Sequence, residues 1–356
     1  MHSNSPKSDD ENKIDTRYSL TDCVWEITLA CCFSCKYCGS EGGKARENEL
    51  NTEECIKVAR ELAMLGCKKV NLIGGEVFIR KDWPVIVKEL TKRDITTIII
   101  TNGWLFTEEL IDTIKESGLY GVAVSVDGPK EVHDKYRQEG SFDRAINAIE
   151  VLIAHDIPVT VISTLNSENS KQLDEMYATL KKYPLRAWQL QGCTPMGNAA
   201  KSGIDYEFDH QMVIDFASNH LIESPFVIAL ADDIGYYSEM ENYLRGNLTG
   251  FTRYNGCSAG LNVVGIDSVG NVKGCESMYD DRFIEGNIRE RSLIDIWNDP
   301  DAFAYNRKFK MEMITGACAK CSYNKYCAGG CRGHNYFTND GKMYESKYCI
   351  QRKNIE

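Results

Sequence analysis

The 356-residue chain contains no apolar run close to the roughly 18–20 residues that a membrane-crossing helix requires. Its first twenty residues are polar and have no hydrophobic h-region, which excludes a secretory signal there. Residues 1–20 therefore read as a flexible polar tail, and the cytoplasm is the expected location. Positive charge is in deficit: 41 Lys and Arg face 52 Asp and Glu, for a formal net charge of −11. A phosphate backbone wants a basic surface, so neither nucleic acid nor membrane is an expected partner. There is no internal repeat, and nothing of low complexity beyond the tail.

Cysteine, by contrast, is abundant, with fifteen residues. Without an export signal, structural disulfides are disfavoured and clustered cysteines point to metal. Three fall at Cys31, Cys35 and Cys38, and five lie between Cys318 and Cys349.

Between them the chain alternates short Val/Ile/Thr-rich runs with amphipathic stretches. Strands are predicted at 23–29, 69–73, 96–101, 121–126, 158–164 and 187–191. Helices are predicted at 83–92, 107–117, 142–155, 168–182 and 208–223. Another runs from a capping box at Asn51-Thr52-Glu53-Glu54 to about Leu65, with Ile56, Ala59, Leu62 and Ala63 on one face. Six strands alternating with helices imply parallel βα units, with ligands gathering at the C-terminal strand ends. Periodicity leaves an open partial barrel and a doubly wound sheet both open. After about residue 193 the pattern changes. A hairpin at 261–266 and 271–273 turns on Asp267-Ser268-Val269-Gly270, and a short helix follows at 293–297. This part has little apolar periodicity and is expected to be stapled by metal.

Cys31, Cys35 and Cys38 follow the first strand with spacing Cys-x3-Cys-x2-Cys. Three close thiolates hold three irons of a 4Fe–4S cluster and leave the fourth open, as a reactive centre needs. The competing zinc reading takes Cys32, Cys35 and Cys38 and lacks a fourth ligand, since no His is near. In the cluster reading Cys32 is a spare, buried thiol.

This spacing, with Tyr37 before the last cysteine, resembles the signature of the radical S-adenosylmethionine (SAM) superfamily. The resemblance implies a partial (β/α)6 TIM-type barrel and SAM chelated to the open iron. SAM is then cleaved reductively to a 5′-deoxyadenosyl radical that abstracts hydrogen. Gly74-Gly75-Glu76, ending the second strand, is similar to the family's GGE motif, which contacts the methionine amino group. Asn102 ends the third strand. Ser125, Asp127 and Arg137 belong to a stretch resembling SxDGxxxxHDxxR. The resemblance puts Ser125 and Asp127 near the SAM ribose and pairs Arg137 with a carboxylate. For His133 the expected role is a local hydrogen bond. Residues 195–199 look like the family's Pro-x-Gly-(Arg/Asn)-Ala loop.

Downstream, Cys257, Cys275, Cys318, Cys321, Cys327, Cys331 and Cys349 keep the order and gaps of the SPASM domain, with zinc again the alternative. The resemblance implies two auxiliary 4Fe–4S clusters, three in all. Cys318, Cys321, Cys327 and Cys349 would hold one; Cys257, Cys275 and Cys331 would hold the other. Residues 252–256 carry no cysteine to complete the second set, which leaves an open iron or a non-cysteine ligand. Expected domains are a barrel at 21–222, a bridging linker at 223–256 and the SPASM domain at 257–352. Glu276 stands where some relatives carry a general base; an exposed carboxylate is the alternative. Cys193 is either a hydrogen-atom donor or a small buried core residue.

Relatives of this kind mostly modify peptides, so a peptide or protein substrate is expected. The modification would be a crosslink, a thioether or an epimerisation. Sulfatase-maturase-like formylglycine formation is the alternative, although Gly39 follows Cys38 where those enzymes carry an aromatic residue. A small-molecule substrate (a carbohydrate or tetrapyrrole side chain) and a non-catalytic iron–sulfur protein are further readings. Only a polar tail precedes the first strand, so either the barrel and SPASM surfaces bind the precursor or a separate leader-binding protein brings it, and a flavodoxin- or ferredoxin-type electron donor is expected.

Overall fold

The computed structural model describes residues 18–245 and 254–355. Seven strands run parallel in chain order: β1 (Asp22–Thr28), β2 (Lys69–Gly74), β3 (Thr96–Thr101), β4 (Gly121–Ser125), β5 (Val159–Leu165), β6 (Ala187–Gly192) and β7 (Val227–Leu230). The connecting helices are α1 (Thr52–Met64), α2 (Trp83–Thr91), α3 (Glu108–Ser117), α4 (Lys130–Tyr136), α5 (Ser141–Ala154), α6 (Leu173–Leu180), α7 (Asn198–Lys201) and α8 (His210–Asn219), with α9 (Glu241–Leu244) after β7. The sheet ends on β7 at one edge, so the (β/α)6 unit is an open partial barrel with one strand added.

Within the predicted linker 223–256, residues 227–230 are thus part of the barrel sheet, while 246–253 lie outside the described residues. Four apolar residues carry too little periodicity to announce a strand, yet β6 supplies the hydrogen-bond partners that make them one. The hairpin is β8 (Val263–Ile266) and β9 (Asn271–Lys273), as expected. However, β8 pairs parallel with β1, from Asp22↔Val263 to Trp25↔Ile266. The cysteine-rich part thus begins as a continuation of the barrel sheet, which ends in β10 (Gly286–Asn287). The polar-tail reading falls on residues 1–17, outside the described residues, and on 18–20, of which Tyr18 and Leu20 are packed and Ser19 is exposed. Leu20 is in the core, and the Tyr18 carbonyl accepts from Trp297 Nε1 at 2.9 Å.

Strand alternation separates two environments. Cys23, Trp25 and Ile27 of β1, Val70 and Leu72 of β2 and Trp188 and Leu190 of β6 are sealed in the core beneath the helices. Their alternates Val24, Asn71, Ile73, Ile98, Gln189 and Gln191 are only half-buried, although every strand involved is flanked on both sides. The concave face is therefore open only in part, since Glu26 and Thr28 of β1 are buried on it. On α1 the capping box forms as read, with Glu54 N donating to Asn51 Oδ1 at 3.0 Å and Asn51 N to Glu54 Oε2 at 2.8 Å. The buried face is Cys55, Val58, Ala59 and Leu62, while Ile56 and Ala63 lie at its edge. It is rotated because α1 also meets α10 (Leu293–Asn298), where Glu61 accepts from Leu293 N at 2.6 Å. No described helix is long and apolar enough to cross a membrane.

Candidate active site

The first cysteine loop leaves β1 and is closed at its base, where Cys31 N donates to Gly43 O at 2.8 Å and Gly43 N to Leu29 O at 2.9 Å. From the far side Asn198 holds its tip: Asn198 N donates to Cys38 O at 2.9 Å, and Nδ2 to Cys35 O at 3.1 Å. This contact explains the residue before Asn198. A Cβ on Gly197 would stand 2.4 Å from Gly39 O and 2.6 Å from Cys38 O, so only glycine lets the two loops meet. A third side is closed by Lys36 N donating to Tyr136 O at 2.9 Å.

The Gly-Gly-Glu turn packs as closely. A Cβ on Gly74 would lie 2.3 Å from Thr28 O, and one on Gly75 would lie 2.3 Å from Ala30 O. Both glycines are therefore demanded by backbone approach alone. Glu76 is fully buried and ties β2 to β3, accepting from Asn102 N at 2.8 Å and Thr101 Oγ1 at 2.9 Å. Burial pushes its carboxyl up to about 7, against those donors. Asn102 directs Nδ2 at Cys32 Sγ, 3.4 Å away. Cys32 itself is exposed, not buried, and shares a hydrogen bond with the Cys31 thiol.

Asp127 is the hub of the β4 end. Its carboxylate accepts from Tyr37 Oη, Arg137 Nε and Thr164 N, the last at 2.6 Å, and it is fully buried. The carboxylate that Arg137 pairs with is thus Asp127 itself, and both oxygens are engaged inside the protein. Burial pushes the Asp127 carboxyl up, but the Arg137 guanidinium, His133 and the Thr164 amide together outweigh it and hold the group below the usual carboxylate range. His133 Nδ1 accepts from Asp127 N at 3.1 Å, the local role expected of it. Ser125 is buried at the end of β4.

Do these residues suit a cluster with SAM? Cys38 Sγ accepts from Gly42 N at 3.2 Å and Cys31 Sγ from Phe33 N at 3.4 Å, so the sulfurs already receive the N–H groups that tune such centres. A Cβ on Gly42 would stand 3.1 Å from Gly75 Cα, 3.3 Å from Cys31 Cβ and 3.7 Å from Cys38 Sγ. Between these two cysteines and the Gly-Gly-Glu turn there is only bare backbone, a cradle that a side chain would fill. The donor chemistry and the cradle both fit. Among the described residues no three such side chains converge on a single-ion position, whereas a polynuclear cluster takes spread ligands.

Cys318, Cys321, Cys327 and Cys349 line one recess, with Tyr236, Tyr237 and Arg352 in its wall. Ser346 N and Tyr323 N each approach a sulfur, Cys318 and Cys321, at 3.4 Å. The second set also gathers: Cys257 and Cys331 share a hydrogen bond, and Cys257 and Cys275 pack against Met278 and Phe283. The structure thus brings together both predicted groups. Arg332, fully buried between the Phe309 and Tyr344 rings, donates to Ala328 O at 2.7 Å and stands in for an apolar core here. This region docks on the barrel mouth through Thr194–His334 at 3.0 Å and Tyr279 Oη donating to Ser40 O at 2.9 Å.

Glu276 is buried, which removes the exposed-carboxylate alternative. It pairs with buried Lys273 at 3.0 Å, and its other oxygen has no partner among the described residues. Burial pushes it up to about 7, against Lys273. It lies on the side of the sheet to which Glu26 points. Cys193 is buried beside Tyr37, Ala199 and Cys35, and burial raises its thiol to about 12. It keeps its proton there, which both of its expected roles require. Sequence reasoning missed the inward Glu26, which Arg46 pairs, and the acids Asp232 and Asp233 after β7. A charge in the middle of the apolar β1 was the available signal for the first.

The site and fold define a radical SAM enzyme with an added iron–sulfur region. Residues 25–180 match the Radical SAM superfamily model, and residues 257–329 match the SPASM iron-sulfur cluster-binding domain. Mycofactocin maturase MftC of Mycolicibacterium smegmatis is 31% identical over 92% of this chain and 81% of its own length. AdoMet-dependent heme synthase of Methanosarcina barkeri is 28% identical over 92% of this chain and 96% of its own. Streptococcus suis SuiB bound to S-adenosylmethionine superposes with a TM-score of 0.74 at 17% identity, covering 93% of this chain and 78% of that one. The chain belongs to the radical SAM superfamily, in its SPASM-bearing branch, and is an enzyme.

Proposed function

We propose that this chain takes a hydrogen atom from a peptide and matures a ribosomally made precursor through a crosslink, a thioether or an epimerisation. The observation that carries this reading is the 31% identity to a maturase across 92% of the chain. The partly open concave face beneath the cysteine-rich region is consistent with a chain-like substrate. When bound, a cluster on Cys31, Cys35 and Cys38 and its SAM supply one-electron cleavage of a sulfonium and a carbon-centred radical. This chain's residues hold that pair. Asn198 and the Tyr37–Asp127–Arg137 network fix the cysteine loop, Gly74 and Gly75 allow the close approach, and Asn102 faces the sulfurs. The two downstream cysteine sets would hold two further 4Fe–4S clusters. Glu276 is positioned to hold a proton near neutral pH. A flavodoxin- or ferredoxin-type protein supplies electrons in the cytoplasm, and a separate leader-binding protein presents the precursor.

A tetrapyrrole side chain is the second reading, favoured by the heme synthase whose length this chain matches at 96%. Anaerobic reconstitution followed by SAM and dithionite tests both. About twelve irons are expected, with 5′-deoxyadenosine formed, lost in Cys35→Ala and stimulated by candidate precursor peptides. Stimulation by an iron porphyrin instead selects the second reading, and bound iron without SAM cleavage overturns both.

A further inference from the structure

Cys257, Cys275 and Cys331 offer three thiolates to a cluster whose four irons each take a ligand. The chain beyond β7 brings a fourth group to them. Tyr236 Oη donates to the Asp232 carbonyl at 2.7 Å and accepts from Cys331 N at 3.0 Å, so one buried hydroxyl spans the two residues. Gly330, at φ +91°, makes the approach feasible, since a Cβ there would stand 3.0 Å from the Tyr236 ring. Asp232 is an exposed residue whose carboxylate takes no hydrogen bond among the described residues, and it lies within electrostatic reach of Cys257 and Cys331.

A second observation points to the same spot. Tyr254 is 4% exposed, and its hydroxyl is buried with no partner among the described residues, within reach of Asp232, Cys257 and Cys331. A buried donor without an acceptor is costly, so this one marks a place built for a further group. Of the neighbouring acids, Glu241 holds Arg245 at 2.9 Å and Asp233 Oδ2 accepts from Gly192 N at 2.9 Å, while the buried Asp233 Oδ1 has no partner among the described residues.

We propose that Asp232 is the fourth protein ligand of the auxiliary cluster held by Cys257, Cys275 and Cys331, with the Tyr254 hydroxyl donating to its free oxygen. This rests on the cluster reading above. A carboxylate oxygen is a harder ligand than thiolate, and replacing thiolate by other donors raises a cluster's potential.

The test uses the full chain with Cys31, Cys35 and Cys38 all changed to Ala, so that only auxiliary clusters are seen. This parent is expected to hold about eight irons. Its reduced EPR spectrum should ignore added imidazole. Asp232→Ala should shift the spectrum of one cluster and let imidazole shift it again. Asp232→Cys should restore indifference to imidazole and lower that cluster's midpoint potential. Should Asp232→Ala fail to take up iron, Asp232→Cys decides alone, because an unchanged spectrum and potential there overturn the proposal. Overturning results are also an Asp232→Ala spectrum identical to the parent's, or a parent that already responds to imidazole. A parent with only about four irons removes the cluster and the proposal with it. That outcome is distinct from loss of SAM cleavage in the unmodified enzyme, which tests the reading of the activity.

Discussion

Asp127→Asn tests whether the cysteine loop is held by a buried ion pair. The Asp127 side chain is 1% exposed and that of Arg137 is 11%, so the substitution strands a guanidinium where water does not reach. Removing one partner of such a pair costs about 3–5 kcal/mol. The low end applies, because an amide oxygen can still accept from Thr164 N. Tyr37→Phe removes one hydrogen bond to a charged acceptor, about 1.5–3 kcal/mol. Since both act on one carboxylate, the double variant should fall short of the sum by about 0.5–3 kcal/mol. Urea unfolding of the iron-free, reduced protein at neutral pH measures all three. Because the Asp127 carboxyl sits below its ordinary range, its contribution is complete above the unfolded value near about 4 and is lost as pH falls through the folded one. Tyr37 lies between Cys35 and Cys38, so iron retention after reconstitution should fall in parallel. Asp127→Asn within about 0.5 kcal/mol of the parent, or strict additivity with Tyr37→Phe, would refute the reasoning.

Three further expectations follow from the same geometry. Gly75→Ala puts a Cβ 2.3 Å from Ala30 O and 2.5 Å from Leu29 O, so at least about 1–3 kcal/mol and most iron binding at the first cluster should be lost; unchanged stability and iron content would contradict it. Glu76, raised to about 7 by burial, binds more protons folded than unfolded between the two values, so stability falls as pH rises through that window. Between pH 5 and 8 the iron-free parent should lose about 2–3 kcal/mol relative to Glu76→Gln, and a flat difference would dismiss the shift. Cys349→Ala should cost about four of about twelve irons while leaving SAM cleavage by the first cluster detectable, whereas Cys193→Ala should keep full iron. Equal iron in both variants would break the assignment of the four-cysteine recess.

Chemistry was legible in the sequence wherever residue type and spacing are local. The three cysteines after β1, the Gly-Gly-Glu turn and the ordered downstream cysteines could be read directly, because ligand sets and strand-end turns depend on short separations. So were six strands and the Asn51 capping box, since alternation and caps are set within a few residues. Tertiary structure alone decided the rest. Only β6 makes the four residues of β7 a strand, and only β1, some 240 residues upstream by the separation of the Glu26–Ser268 contact, draws the hairpin into the barrel sheet. The partner of Arg137 and the buried setting of Glu276 depend on which charges meet away from water, and that is fixed by packing. The Asp232 carbonyl and the Cys331 amide meet on the Tyr236 hydroxyl, beside Gly330, and that meeting of two distant segments is encoded by no linear pattern.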